Sequence, residues 1–317
     1  MGTSMRKEEF YFDSRDGKSK LYAVRYLPDR DEDIRAVVQI VHGMAEHMGR
    51  YEAFAEFLTK QGFAVTGDDH LGHGRSIGEN GTPGYFCSQD PATVLVRDVH
   101  RLKKITQALY PGLPYILLSH SMGSFIARSY MCRYGTGITG AILLGTGSQT
   151  AAVLRISKLT AALQKVFLGP KHVAKFIYKH AFASYNDKIG EKRTEFDWLT
   201  KDSAVVDRYL ADPLCGFTFT VNGFQTLFEL ITRIQKPDNL EKIPKELPVL
   251  MASGEDDPVG AYGAGVRKAY EGMIAAGLKQ VTLMLYPTDR HELLNETDYE
   301  KVWQDILVWL EQVVRRN

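Results

Sequence analysis

The stretch YILLSHSMGSFIARSY, Tyr115 to Tyr130, decides the fold. Residues 115–118 are apolar and read as a strand, residues 124–134 carry helical spacing, and Ser119-His120-Ser121-Met122-Gly123 joins the two. A serine hydroxyl is a weak nucleophile at neutral pH. An enzyme that uses one therefore holds it on a sharp strand-to-helix turn, beside a base. Gly123 supplies one of the two small residues that such a turn needs, and Ser119 stands where the G-x-S-x-G pattern has its first glycine. The same pentapeptide would also serve as an ordinary helix N-cap, so the reading depends on partners elsewhere in the chain.

Those partners follow in the order that this architecture requires, serine, then acid, then histidine, each after a strand. Residues 247–253 (LPVLMAS) read as a short buried strand running into Gly254-Glu255-Asp256-Asp257-Pro258-Val259. Residues 281–286 (VTLMLY) read as another, running into Pro287-Thr288-Asp289-Arg290-His291-Glu292. His291 is the expected base for Ser121, with a buried aspartate holding its imidazole in the right tautomer; the residues alone leave open which aspartate. Upstream, residues 36–41 (AVVQIV) form a third apolar strand that opens into His42-Gly43-Met44-Ala45-Glu46-His47-Met48-Gly49-Arg50-Tyr51. An N–H exposed after that His-Gly turn, with the N–H of the residue following the nucleophile, makes an oxyanion hole. The positive end of the helix that starts at Met122 reinforces it. His42 and His47 read equally well as loop packing.

Taken together, four separated motifs resemble the α/β-hydrolase superfamily and, within it, the monoacylglycerol lipase and lysophospholipase group, which is also classed with serine aminopeptidase-like hydrolases. They are H-G-M-A-E-H-M-G-R-Y from His42, D-H-L-G-H-G-R-S from Asp69, H-S-M-G at His120, and G-E-D-D-P-V at Gly254 followed by His291. The first discriminates best, because the Glu-His and Arg-Tyr after His-Gly are uncommon in the wider superfamily. The resemblance implies Ser121 as nucleophile, His291 as base and Asp257 as the acid, with Asp256 as the fallback. It also implies that the N–H groups of Met44 and Met122 form the oxyanion hole.

Along the chain, strand and helix alternate. Residues 9–13 and 20–27 flank an Asp16-Gly17 turn and predict an opening hairpin. Residues 36–41, 51–61 and 63–68 predict strand, helix and strand; 91–109 predict a long helix, and 140–144 another strand. This alternation predicts a mostly parallel central sheet with helices on both faces. From residue 148 to 235 no strand pattern appears, which predicts a helical cap inserted into a core made of 1–147 and 236–317. Loops and insertions at the carboxyl ends of the strands shape the pocket in such sheets.

Composition agrees with an enzyme of small molecules. The 317 residues are 44% hydrophobic and 24% charged, and the net charge of +1 gives no pull toward nucleic acid. Cys87, Cys132 and Cys215 stand far apart, which predicts neither a disulfide framework nor a zinc site and suits a reducing, cytoplasmic compartment. The charged N-terminal segment argues against a secretory signal, and no apolar run is long enough to span a membrane. Asp68-Asp69-His70-Leu71-Gly72-His73 looks like a metal cluster but fits better as a loop after a strand. Gly72-His73-Gly74 fails as a dinucleotide loop because Ile77 replaces the third glycine. Neither a cofactor nor a metal is expected.

Substrate choice is expected to lie in the cap. Residues 151–180 hold six basic side chains (Arg155, Lys158, Lys165, Lys171, Lys175 and Lys179) and no acidic one. In helices Lys171, Lys175 and Lys179 would oppose Val173, Phe176 and Ile177, and Arg155, Lys158 and Lys165 would oppose Ile156, Leu159, Leu163, Val166 and Phe167. Such helices either cover a core with their apolar face or rest on an anionic membrane surface. Phe176, Phe217 and Phe224 are candidates to line an acyl pocket, while Phe219 and Phe228 are as readily core. The predicted reaction is hydrolysis of a single-chain lipid ester, a monoacylglycerol or a lysophospholipid, through an acyl-enzyme. The alternatives are a short-chain carboxylesterase, and an aminopeptidase-like amidase with Glu191, Glu195 or Asp197 holding a substrate ammonium group. A receptor without turnover would use the same fold.

Overall fold

A computed structural model describes residues 5–316; Met1 to Ser4, part of the N-terminal segment considered above, and Asn317 lie outside the described residues. Strands β1 (Arg6–Asp13) and β2 (Lys20–Leu27) form the opening hairpin. Then come β3 (Ala36–Val41), α1 (Glu52–Thr59), β4 (Phe63–Asp68), α2 (Pro91–Leu109), β5 (Tyr115–His120), α3 (Met122–Tyr134) and β6 (Gly140–Leu144). A helical interval follows, with α4 (Ala151–Leu168), α5 (Lys175–Ala181), α6 (Ser203–Ala211), α7 (Val221–Ile234) and the short α8 (Pro237–Leu240). The chain closes with β7 (Val249–Gly254), α9 (Ala264–Ala275), β8 (Val281–Tyr286) and α10 (Tyr299–Arg315). The eight strands make one sheet in the order β1-β2-β4-β3-β5-β6-β7-β8. Only the pairs β1/β2 and β2/β4 are antiparallel, so the sheet is mostly parallel as the alternation predicted.

The central strands read as unbroken apolar runs because both of their faces are covered. Val37, Val41, Leu117, Ala141, Leu143, Val249 and Met251 point into one core layer with α2, α3 and α9. Their neighbours Val38, Ile40, Ile116, Leu118, Ile142, Leu144, Leu250 and Ala252 point into the other, with α1 and α10. Side chains alternate along a strand, and a helix layer on each side requires both sets to be apolar. Helix starts are fixed locally: Asp90 accepts from the Thr93 N–H before Pro91, and Thr150, Asp202 and Thr220 cap α4, α6 and α7.

Within the helical interval the expected helix over 171–179 is shorter. Residues 170–172 form a turn and Val173 bridges to Thr220, while the Pro170 and His172 carbonyls accept from the Asn222 and Val221 N–H groups and Ala174 N–H donates to Phe219 O. Those bonds satisfy the start of α7, and they use backbone groups that a helix through 171–174 would need. Lys171 is therefore off the helix, with its ammonium over the Tyr85 ring. The two ends of this interval meet: Gln149 N–H donates to Gln235 Oε1 (2.7 Å), and Gln235 Nε2 donates to Gln149 O (2.9 Å). Buried Arg128 of α3 adds a bond to Gly147 O at 2.8 Å. Among the described residues no helix is long and apolar enough to cross a membrane.

Candidate active site

Ser121 joins the end of β5 to the start of α3 at φ +53°, ψ −123°, a conformation that L residues rarely adopt. Strain of this kind persists only where the surroundings impose it. Here Ser121 N–H donates to Leu144 O (3.0 Å), and Ser121 O accepts from both the N–H and the hydroxyl of Ser124. The start of α3 also sits hard against the end of β3, since a Cβ at Gly123 would fall 2.0 Å from Val41 O. Ser119 fits in place of the expected glycine because its hydroxyl is buried and satisfied by Ile142 O at 2.9 Å.

Asp257 is fully buried after β7, and both its carboxylate oxygens lie 3.0 Å from Nδ1 of His291. The carboxylate is itself held by Val259 N–H (2.8 Å) and the Ser253 hydroxyl (3.2 Å). With Nδ1–H on Asp257, Nε2 is left to accept a proton. Asp256 is exposed, and its N–H donates to Asp289 O, so the structure brings Asp257 rather than Asp256 to the imidazole. The His291 ring rests against Trp198 and His120, and Gly145 gives it room, since a Cβ there would lie 2.9 Å from Cε1. Ser121, His291, Met44 and Met122 line one cavity. As the first residue of α3, Met122 has an N–H with no carbonyl four residues back within the helix.

Behind the cavity stands an ionic cluster whose role the sequence did not disclose. Glu46 Oε1 accepts from Gly43 N–H (2.5 Å), the Tyr51 hydroxyl (2.8 Å) and His120 Nδ1 (3.1 Å). Its Oε2 accepts from Arg50 (2.9 Å), whose guanidinium also forms a two-pronged pair with Glu292 at 2.6 and 2.7 Å. The Glu, Arg and Tyr of H-G-x-x-E-H-x-x-R-Y thus tie the loop after β3 to the residue before Ser121 and the residue after His291. Burial alone would push the His120 imidazolium down, but the Glu46 carboxylate beside it holds it above its ordinary value. His120 Nε2 also points at His291 O (3.3 Å), so both ring nitrogens face acceptors. Burial would raise Glu46, yet His120 and Arg50 keep it well below the usual carboxylate range.

The histidines of the D-H-L-G-H loop form scaffold. His42 Nε2 accepts from His70 N–H (3.0 Å), and His70 donates to Asp68 and to His42 O. His73 Nε2 accepts from Ala45 N–H (3.1 Å). Burial pushes His73 down to about 3, which keeps it a neutral acceptor. A separate trio, His47, Asp212 and Cys215, brings one ligand-type atom each within 4.8 Å. Gly49 N–H donates to Nδ1 of His47, so the proton sits on Nε2 and is directed at Asp212 Oδ2 (2.8 Å). That is the arrangement of a hydrogen bond between loop and helical interval, not of a histidine presenting a lone pair to a cation.

The cavity has a volume of about 600 Å³. Phe125, Phe182, Phe224, Phe228, Ile231 and Leu154 make much of its wall. Phe224 is fully buried there, Phe217 is partly buried and Phe176 stands exposed at the rim. Phe228 lines it as well, whereas Phe219 packs behind, against His73 and Phe86. No lysine or arginine is among the lining residues; Glu46 and Glu292 are, and Arg50 holds both. Glu191, Glu195 and Asp197 do not line it, and Asp197 is taken up by Thr194 and the Arg193 N–H. Outside, α4 buries Leu154 and Ala161 and leaves Ile156, Leu159, Leu163, Val166 (78%) and Phe167 (79%) exposed, so its apolar face does not cover the core.

Comparison with known proteins agrees with this geometry. A "Monoglyceride lipase homolog" of Monkeypox virus is 29% identical over 280 residues, 87% of this chain and 89% of that protein. The "Monoglyceride lipase" of Homo sapiens is 28% identical over 289 residues, 88% of this chain and 83% of its own. Among solved structures, a thermostable carboxyl esterase from Bacillus coagulans in complex with glycerol superposes with a TM-score of 0.90 at 30% identity, covering 98% of this chain and all of that one. The family described as serine aminopeptidase, S33, matches residues 32–298. The chain therefore belongs to that family of α/β-hydrolases.

Proposed function

We propose that this protein is a serine hydrolase that cleaves the carboxylic ester of a monoacylglycerol through an acyl-enzyme. One observation carries the reading: a single cavity joins Ser121 and His291 to a long aromatic and aliphatic wall that contains no lysine or arginine. An acyl chain is buried favourably there, at about 25 cal/mol per Å² of apolar surface. The phosphodiester of a lysophospholipid would find no lysine or arginine among the lining residues to pair with. A neutral glycerol head group fits that wall better. The names of the relatives, monoglyceride lipases and a carboxyl esterase, support the same reaction class.

In the reaction Ser121 Oγ attacks the ester carbonyl while Nε2 of His291 takes its proton, and Asp257 stabilises the imidazolium that forms. The Met44 and Met122 N–H groups receive the oxyanion. His291 then protonates the departing glycerol oxygen. A water, deprotonated by the same nitrogen, attacks the acyl carbon, so the fatty acid leaves and Ser121 is restored.

Residues 148–235 act in this reading as a cap over the acyl pocket. The exposed apolar row of α4, flanked by Arg155 and Lys165 and continued by Lys175 and Lys179, suits peripheral contact with an anionic lipid surface. Changing those four basic residues to glutamate is expected to abolish sedimentation with anionic vesicles; undiminished binding refutes the contact. The enzymatic reading is tested with monoacylglycerols and lysophospholipids of rising acyl length, using Ser121→Ala as the blank. Turnover of medium or long monoacylglycerols that is absent in the blank supports it. Turnover confined to the shortest acyl groups points to a small-ester hydrolase, and preference for lysophospholipids overturns the head-group argument.

A further inference from the structure

Ala45, the residue after the proposed oxyanion donor Met44, is held at φ +52°, in the left-handed region that an L side chain disfavours. Its peptide groups are gripped from two sides. From the core, His73 Nε2 accepts its N–H at 3.1 Å. From the helical interval, its carbonyl accepts from the Tyr209 hydroxyl at 3.1 Å and from Gly216 N–H at 3.0 Å. Tyr209 sits at the end of α6, buried, with its ring against the Arg50 guanidinium (4.9 Å) and edge-on to Phe196 (5.1 Å). One turn further on, Asp212 accepts from Nε2 of His47. Residues 209–216 therefore bind the loop 45–50 at three successive places.

We infer that Tyr209 is a positioning residue, whose hydroxyl, delivered by the cap, fixes the Ala45 carbonyl and through it the orientation of the Met44 N–H. This rests on the reading of Ser121 as a nucleophile served by that N–H. The Met44 N–H lies two peptide planes upstream of the Ala45 carbonyl, joined to it through the Met44–Ala45 peptide whose N–H His73 holds, so releasing the carbonyl frees rotation at the Ala45 Cα and loosens the segment that carries the Met44 N–H. A φ of this kind survives only while neighbours over-determine it, and two of the three groups that hold it belong to the cap. Seating the cap and completing the oxyanion hole are then one event. The ion cluster couples to the same point, because the Tyr209 ring packs on the arginine that carries Glu46 and Glu292.

Tyr209→Phe removes the hydroxyl and keeps the ring. Its kinetics are measured on a monoacylglycerol and on p-nitrophenyl acetate, which has no glycerol to contact. Deleting an oxyanion donor costs about 10²–10³ in kcat; loosening one is expected to cost less, roughly three- to thirtyfold, on both esters and with KM unchanged. Amide hydrogen exchange of residues 43–47 is expected to quicken in the variant. A loss confined to the glycerol ester, or seen only in KM, makes Tyr209 a head-group contact and overturns the inference. So does a kcat within twofold of the parent on both esters, or unchanged exchange. Wild-type protein that hydrolyses neither ester, or Ser121→Ala protein that keeps full activity, overturns the hydrolase reading instead, and the exchange measurement still decides whether Tyr209 holds the loop.

Discussion

Replacing Arg50 with leucine takes away the guanidinium that Glu46 and Glu292 share, and leaves two carboxylates that are 3% exposed without it. Breaking a buried ion pair from one side costs about 3–5 kcal/mol, because a charge stays behind uncompensated. Unfolding entropy near 2.1 cal/mol/K per residue amounts to about 0.7 kcal/mol per kelvin over 317 residues. The thermal midpoint at pH 8 should accordingly fall by ~5–8 °C. The pH dependence carries the sharper test. In the parent, burial would raise Glu292, but Arg50 holds it below the usual carboxylate range, so its contribution is present at neutral pH and fades as the pH falls. Without Arg50 burial prevails and Glu292 titrates above its unfolded value. Its contribution is then full below that unfolded value and disappears as the pH rises through the new one. The deficit of Arg50→Leu should therefore shrink between pH 8 and pH 5, and adding Glu292→Leu should recover at least half of it at pH 8. Circular dichroism melts of the parent, the single variants and the double variant read this directly. A deficit equal at both pH values, with no recovery in the double variant, would refute the argument that a stranded charge is what destabilises.

Three further outcomes are expected. Gly123→Ala puts a methyl group 2.0 Å from Val41 O; overpacking of this kind costs about 1–3 kcal/mol, and the fraction of Ser121 labelled by a fluorophosphonate should drop with it, full labelling being the contrary result. Ser119→Gly restores the glycine of the elbow pattern at the loss of one buried hydrogen bond, worth about 1 kcal/mol; activity should stay within about threefold while stability falls, as chemical denaturation with activity assays would show. Burial pushes Asp98 up to about 7, against the opposing bonds from Arg15 N–H and the Ser14 hydroxyl. Its contribution is full below the unfolded value of about 3.9 and lost as the pH rises through about 7, a difference of up to ~4 kcal/mol. Asp98→Asn escapes that loss and should gain in relative stability between pH 5 and pH 8; a constant offset across the range would count against it.

Where burial on both faces dictates composition, the chain could be read directly. Residues 36–41, 63–68 and 140–144 are mostly apolar, buried along their whole length, and form strands with the predicted bounds, as do residues 281–286 nearer the sheet edge; the helix over 91–109 also matches. The turn at Ser121 was legible for a similar reason, because its chemistry needs a small residue at Gly123 and a following helix. Long-range geometry was not. Nothing local to Glu292 reveals that it pairs with Arg50, 242 positions earlier. Periodicity identified the residues that share a face of α4 but not the direction of that face, which turns outward. The helical spacing of Lys171 and Lys175 was genuine as a pattern and failed as structure, because residues 170–174 bond to the start of α7.

The reciprocal amide pair of Gln149 and Gln235 makes the two ends of the intervening 85-odd residues neighbours in space. A scaffold whose excursion begins and ends within one hydrogen bond can exchange that excursion without lengthening or bending itself. In the proposed reading, where this segment shapes the acyl pocket, substrate range can change while the sheet stays as it is. Grafting a foreign helical segment between these two glutamines leaves the strand order untouched, provided that the segment brings its own hold on the carbonyl of Ala45 and covers the apolar surface of α2 and α3 that α7 now packs against.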